Sequence, residues 1–303
     1  MSEIKTFSTT PAEVIAFQGH LGAYSHLACR NARPQLSPVP CATFTEAMQT
    51  VEKGEAALAM IPIENSTAGR VEEIYRQLPK TQLSIIGEHF ESINHCLIAL
   101  KGSSLEQIKT VCSHPQALAQ CDNNIMKLGL ETDVKSDTAG AAHEIMQLQD
   151  TTRAAIASSL AAELYDMEIV RENFQDHDGN TTRFIILSRE AEVPEYRPGQ
   201  KYLTSLMFRV RNLPAALYKA MGGFATNGIN MVKLESYMDT GSFQATSFYM
   251  DVEAHQSDQG MINALEELAF FAQDIRILGL TRRVHGARPA VSFPDRREIK
   301  RAS

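Results

Sequence analysis

The chain has 303 residues, 44% of them hydrophobic and 21% charged, with a net charge of −7. This is an ordinary soluble globular composition on a chain too long for one core, so two domains, or three lobes, are expected. No apolar run approaches membrane-spanning length, and the opening MSEIKTFSTTPAEV carries Glu3 and no apolar signal core, which argues against a membrane span or secretion and for the cytoplasm.

In chain order, VIAFQG (14–19) reads as a buried strand. A helix over 43–53 sets Phe44, Ala47, Met48 and Val51 on one face, and AALAMIPI (56–63) returns as a strand. RVEEIYRQL then carries Val71, Ile74, Tyr75 and Leu78 at helical spacing. HFESINHCLIAL (89–100) is a long extended segment suited to crossing from one lobe to another. Beyond it come a helix over 115–128 with Leu118, Cys121, Ile125 and Leu128 inward, a helix starting from Asp137 and the short strand AAIAS. Such alternation predicts parallel sheets with helices on both faces.

DHDGNTTRFIIL (176–187) passes from charge, glycine and hydroxyls straight into a buried strand. It is the candidate for a return crossing, and two crossings make a hinged cleft with Thr181, Thr182 and Arg183 at a strand mouth beside it. EAEVPEYRPGQK (190–201) reads as a linker. Beyond the linker the chain has the order βαββαβ of a ferredoxin-like domain: SLMFRVR, a helix opened by Pro214, INMVKLESYM, FQATSFYMDV, a helix with Met261, Leu265, Leu268 and Ala272, and RILGLT. The tail over 282–303 holds seven Lys and Arg against Asp295 and Glu298, a charge of +5 that leaves about −12 on the body. Without interleaved aromatics or a reader motif it reads as a solvated disordered end and implies no nucleic-acid partner.

Chemistry-bearing residues concentrate in a few stretches. IPIENSTAGRV (61–71) delivers Glu64, Asn65, Ser66 and Thr67 between a strand and a helix, either as caps or as an anion cradle of backbone N–H groups and small polar side chains. SHPQALAQC (113–121) repeats the design with Ser113, and with Gln116 and Gln120 on one side of a helix; His114 suits a cap more than a general base, and His95 and His177 carry no stronger signal. Arg183 and Arg70 fit either a substrate carboxylate or an ion pair within the protein. The five cysteines (Cys29, Cys41, Cys96, Cys112 and Cys121) form neither a C-x-x-C pair nor a zinc pattern and read as free thiols. No serine elbow, Walker loop or complete dinucleotide fingerprint is present.

Taken jointly, FQGHLGAYSHLA, IPIENSTAGRV, SHPQALAQC, DTAGAA, AAIASSLAAELY and NTTRF resemble, in order, the motifs of prephenate dehydratase. Downstream, RNLPAALYKAMGGFATNGINMVKLESYM looks like the ACT regulatory domain usual in that family, so the resemblance spans roughly residues 14–281. It implies a two-lobed α/β catalytic domain similar to type II periplasmic binding proteins over 14–189, with lobe one about 14–88 plus 178–189 and lobe two about 89–177, followed by the linker and an ACT domain over 202–281.

The reaction implied is decarboxylating dehydration of prephenate to phenylpyruvate without metal or organic cofactor, and aromatisation drives it. In the family's TRF motif the threonine is the principal catalytic residue, which falls here on Thr182; other pocket positions fall on Glu64, Asn65, Ser66, Ser113, Gln120, Arg183 and Phe184, with Thr67 and Thr181 beside them. Arogenate, the amino analogue, is the rival substrate, and a non-catalytic amino-acid sensor is the rival class. The resemblance also implies a homodimer or homotetramer through ACT domains and phenylalanine as a regulatory ligand. Its site would draw on Asn212, Leu213, Ala215, Ala216, Leu217, Asn230, Glu235 and Ser236. This chain departs from the family's G-A-L and E-S-R-P patterns at Ala215, Tyr237 and Met238, which adds a methyl and removes a cation and a rigid turn.

Overall fold

A computed structural model of the chain describes residues 10–238 and 247–283. The first lobe is built from β1 (Val14–Gln18), α1 (Tyr24–Ala32), β2 (Ser37–Cys41), α2 (Phe44–Glu52), β3 (Leu58–Asn65), the two-residue β4 (Gly69–Arg70), α3 (Glu72–Gln77) and β5 (Ser84–Ser92). The second holds β6 (Cys96–Ala99), β7 (Thr110–Ser113), α4 (Pro115–Gln120), α5 (Asp122–Leu128), β8 (Glu131–Val134), α6 (Thr138–Leu148), β9 (Arg153–Ala157), α7 (Ser159–Leu164) and β10 (Glu168–Arg171). Then β11 (Thr181–Ser188) returns to the first lobe. Last come β12 (Tyr202–Val210), α8 (Ala216–Thr226), β13 (Met231–Tyr237), β14 (Ser247–Val252), α9 (Gln259–Phe271) and β15 (Ala272–Arg282), in the βαββαβ order of a ferredoxin-like domain. Of the stretches read from sequence, residues 1–9 with Glu3, 243–246 and the tail beyond Arg283 lie outside the described residues.

The α/β class and the two lobes agree with the sequence, but the expectation of parallel sheets is corrected. β1 runs parallel to β2 and β3, whereas β11 lies antiparallel between β3 and β5; the second sheet, β10-β6-β9-β7-β8, is likewise mixed. The cause is the double crossing, because a strand that comes back through the same junction re-enters its sheet against the direction of the strand that left. The helix expected over 115–128 is two helices, broken where Cys121 leaves helical geometry at φ −121° and ψ 11°.

The crossings, 93–95 outbound and 172–180 inbound, are bonded to one another. Ile93 donates its N–H to Asn180 O at 2.9 Å, and Phe174 donates to His95 O at 2.7 Å. On the opposite rim the loop after β1 lies directly on the second lobe: Ser158 Oγ donates to Gly22 O at 2.5 Å and Tyr165 OH to Leu21 O at 2.6 Å. Gly22 sits at φ +88°, where a Cβ would stand 2.8 Å from the Ala161 backbone, so only glycine allows this approach.

The C-terminal sheet, β13-β14-β12-β15, continues the first lobe's sheet through one parallel contact, Gly279 beside Ile85. A Cβ at Gly279 would lie 1.9 Å from the Ile85 carbonyl oxygen. Met207, Tyr249 and Leu278 share one core cluster with Tyr75, Leu78 and Ile85 of the first lobe. Arg276 adds hydrogen bonds to the carbonyls of Leu78, Thr81 and Leu83. The C-terminal domain is therefore docked firmly on the lobe that carries β3 and β11.

Candidate active site

A cleft of about 540 Å³ lies between the lobes, lined by residues that include Tyr24, Asn65, His95, Gln120, Asn180 and Thr182. Thr182 is the second residue of β11, placed opposite Asn65 at the end of β3. Strand alternation turns both side chains into the cleft, as TRF at a strand mouth implies.

The hydrogen bonds around Thr182 have a direction that can be worked out from donors whose identity is fixed. Asn65 Oδ1 accepts the backbone N–H groups of Thr67 (3.0 Å) and Ala68 (2.8 Å), so the NH₂ of Asn65 must face the other way. That NH₂ donates to Thr182 Oγ1 at 2.9 Å and to Asn180 Oδ1 at 2.7 Å. Asn180 in turn donates from Nδ2 to Gln120 Oε1 at 3.1 Å. His95 Nε2 stands 2.8 Å from the same oxygen, which accepts only, so Nε2 carries a proton. Nδ1 of His95 lies 2.9 Å from the hydroxyl of Tyr24. Because Thr182 Oγ1 is already an acceptor in this chain, its own hydrogen remains for whatever occupies the cleft.

Burial holds the His95 imidazole below its ordinary pKa, and the Gln120 hydrogen bond offsets this only in part. Burial likewise pushes the Tyr24 phenol up. The chain of donors is thus made of neutral groups. Whereas the start of α6 is already capped by the Asp137 carboxylate, which accepts from Gly140 N–H, further donors line the cleft at the start of α1, where the N-cap is Ala23 with no side-chain cap. Helix N-termini of this kind favour anions. Arg70 is the one Lys or Arg among the described lining residues, and it is engaged by Glu72 Oε2 at 2.7 Å and Glu235 Oε2 at 3.0 Å.

Several expected site residues stand elsewhere. Ser113 is fully buried at the end of β7 and donates to Ile156 O at 2.6 Å, so it does not face a ligand. Arg183 points to the far side of β11, only 3% exposed, and binds Glu88, Glu64 and Asp251 instead of a substrate carboxylate. Glu64, its cross-strand neighbour, points the same way. Ser66 and Thr181 join β3 to the inbound crossing, Thr181 donating its N–H to Ser66 Oγ at 2.9 Å. The cradle expected after β3 is corrected as well: residues 66–68 form a turn into β4, and Asn65 itself takes up two of the N–H groups. Thr67 supports Asn180 at 3.4 Å, and His114 caps α4 by accepting from Gln116 N at 3.2 Å. Phe184 lines the cleft wall as expected, and Gln116 joins Gln120 there.

Tyr24, His95 and Asn180 were not singled out from sequence as site residues. Asn180 sits inside the NTTRF stretch and His95 immediately precedes an apolar strand at the crossing, both readable signals. No group of three or more His, Cys, Asp or Glu side chains among the described residues is arranged to hold a metal, and all five cysteines are free and buried.

The residues expected to bind phenylalanine stand at both ends of the C-terminal domain: Asn212 to Leu217, Glu235 and Ser236 at the end where β12 and β13 finish, and Asn230 at the other, where β13 begins. Asn212, Leu213 and Ala215 are exposed ahead of α8, with Ala216 buried and Leu217 packed against the core. Asn230 donates to Glu253 at 2.6 Å, Glu235 is paired with Arg70 and Lys233, and the Ser236 carbonyl accepts from Arg70. Ala215 adopts φ +58°, the left-handed conformation that explains why the family pattern has glycine there.

Comparison with known proteins shows the family. A family model described as prephenate dehydratase matches residues 15–192, the stretch that supplies every member of the hydrogen-bonded chain from Tyr24 to Thr182. A bifunctional N-acyl-homoserine lactone acylase/prephenate dehydratase of Komagataeibacter europaeus is 50% identical over 268 residues, 88% of this chain and 95% of its own length. Arogenate dehydratase/prephenate dehydratase 2 of Arabidopsis thaliana is 39% identical over 274 residues, 88% of this chain and 71% of its own. The fold is similar to that of a prephenate dehydratase from Arthrobacter aurescens in complex with L-Phe, with a TM-score of 0.82 at 29% identity over 93% of each chain. A cleft built on Asn65 and Thr182, lobes joined by two crossings and these matches over most of the chain lead to one conclusion: the chain belongs to the prephenate dehydratase family.

Proposed function

We propose that the chain dehydrates and decarboxylates prephenate to phenylpyruvate, in phenylalanine biosynthesis and in the cytoplasm. The observation that carries this reading is the Thr182 hydroxyl, held as an acceptor by Asn65 so that its hydrogen faces the cleft. In the reaction the ring C–O bond breaks with its electron pair on oxygen, the ring C–carboxylate bond supplies the pair that aromatises the ring, and water and carbon dioxide leave. One proton is taken up. Thr182 donates toward the departing oxygen, and Gln120 and the N-terminus of α1 hold the carboxylates, a task for preorganised neutral donors. Contact between the lobes at Gly22, Ser158 and Tyr165 keeps the cleft narrow and favours loss of the carboxylate from water.

Arogenate is the second reading, favoured by the dual name of the Arabidopsis relative. Lactone acylase activity, which the name of the Komagataeibacter relative includes, is a further one; the apolar wall of Phe44, Val71, Ile93 and Phe184 suits an acyl chain. Parallel assays on prephenate, arogenate and an N-acyl-homoserine lactone test all three, and phenylpyruvate formed fastest supports the first.

Regulation belongs to the C-terminal domain, read here as an ACT domain that binds phenylalanine. The complex of the Arthrobacter protein with L-Phe supports this. β13 is an edge strand, and Leu213, Tyr218, Leu234 and Met238 are exposed apolar residues on the elements around it, which suits pairing of two or four copies. Phenylalanine titrated into the assay, with mass measurement of the assembly, tests both; an unchanged rate at millimolar ligand would leave the domain an assembly module.

A further inference from the structure

Glu64, Arg183 and Glu235, which the sequence points to and the cleft does not use, meet behind the site in one network with the C-terminal domain. Arg183 donates to Glu64 at 3.0 Å, to Glu88 at 2.9 Å and to Asp251 of β14 at 2.7 Å. Glu64 also pairs with Lys233 of β13, which reaches Glu235 at 3.3 Å. Burial alone would raise the Glu64 carboxyl, but Lys233 and Arg183 outweigh it and hold it below the ordinary range. Asp251 is fully buried and also accepts from Ser205 at 2.6 Å and Tyr249 at 2.7 Å, so its position is set by the C-terminal domain.

The network lies one residue from the chemistry. Arg183 faces Glu64 across the sheet, and the next pair is Thr182 with Asn65. Immediately on the other side of Arg183 the register shifts, Phe184 facing Pro62. Such a bulge interrupts the regular ladder, so the ladder of the strand interior does not by itself fix where Thr182 stands against Asn65. That end is held by the Ser66–Thr181 hydrogen bonds, by pairing with β5 and by the Arg183–Glu64 pair, and of these the Arg183–Glu64 pair is gripped from behind by side chains of another domain.

Resting on the dehydratase reading, we infer that Asp251 and Lys233 are positioning residues for the reaction: by clamping Arg183 and Glu64 they set the Asn65–Thr182 hydrogen bond. The docked domain thereby completes the active site of its own chain. A small misplacement of reacting groups is sufficient to slow turnover by one or two orders of magnitude.

The test compares Lys233→Met, Lys233→Arg and Asp251→Asn in the full chain, with folding checked by circular dichroism. For Lys233→Met, kcat is expected to fall about tenfold or more with KM changed less than about threefold, and Lys233→Arg to recover most of the loss. Amide exchange at 64–70 and 181–183 is expected to quicken in Lys233→Met, a readout that needs no substrate and so separates failure of the clamp from failure of the dehydratase reading. Asp251→Asn is expected to show the same pattern if it folds. Wild-type kcat in a folded Lys233→Met protein, or unchanged exchange in those segments, would overturn the inference.

Discussion

Replacing Thr182 by valine exchanges a hydroxyl for a methyl at almost constant volume, in a residue only 9% exposed. Among the described residues its hydroxyl has one partner, the Asn65 NH₂ at 2.9 Å, which keeps its other hydrogen on Asn180 at 2.7 Å. Losing that neutral bond costs about 1 kcal/mol of stability. Turnover is affected much more, because a donor to a leaving oxygen contributes about 10²–10⁴-fold, or about 3–5 kcal/mol of barrier. Urea unfolding and steady-state kinetics on the same sample therefore separate the two effects. Thr182→Ser, which restores the hydroxyl, should return to within about tenfold of wild type. Thr181→Ala, which removes only a 3.5 Å contact with Gly179 O, should stay within about twofold. A folded Thr182→Val enzyme with more than about a tenth of wild-type kcat would refute the assignment.

Arg183→Met should cost about 3–5 kcal/mol, since it leaves Glu64, Glu88 and Asp251 without their shared cation; a loss under about 1 kcal/mol by urea unfolding would contradict a buried clamp. Ala215→Gly relieves a left-handed backbone at φ +58° and should stabilise the protein by about 1 kcal/mol; destabilisation would show that its methyl packs usefully. Burial, with Arg30 adding to it at His26, holds the imidazoles of His26 and His95 below their ordinary value, and His26 Nδ1 accepts from Gly22 N–H at 3.0 Å. The unfolded chain therefore binds more protons, so stability is full above about pH 6.5 and is lost as pH falls through it toward the folded values. Denaturation midpoints that stay flat between about pH 7.5 and 5.5 would contradict this.

How much of the site was legible depended on whether a residue's partner lies near it in sequence. Thr182 could be found because polarity changes abruptly at the strand mouth, and Asn65 because it ends the strand beside it. Alternation along β11, with the family's TRF motif, points Thr182 into the cleft and allows Arg183 to face away, but it does not say what Arg183 meets there. The answer lies with Asp251, 68 residues further on and in another domain. Ser113 was misplaced because Ile156, whose carbonyl takes its hydroxyl, belongs to β9, brought alongside β7 only by the sheet. The break at Cys121 is equally invisible in the apolar spacing, which continues through it. Ala215 shows the converse: its substitution was readable in the sequence, but only the backbone at φ +58° shows what the missing glycine costs.

The central claim is that this cleft aromatises prephenate with Thr182 as donor. The most direct measurement supplies purified full-length protein with prephenate at neutral pH and follows phenylpyruvate, carbon dioxide and proton uptake together, with Thr182→Val in parallel. Equal amounts of all three, appearing with the wild-type chain and falling at least about a hundredfold in rate with the variant, are expected. Prephenate left unconsumed by the folded wild-type chain, or consumed equally fast by both proteins, would contradict the account.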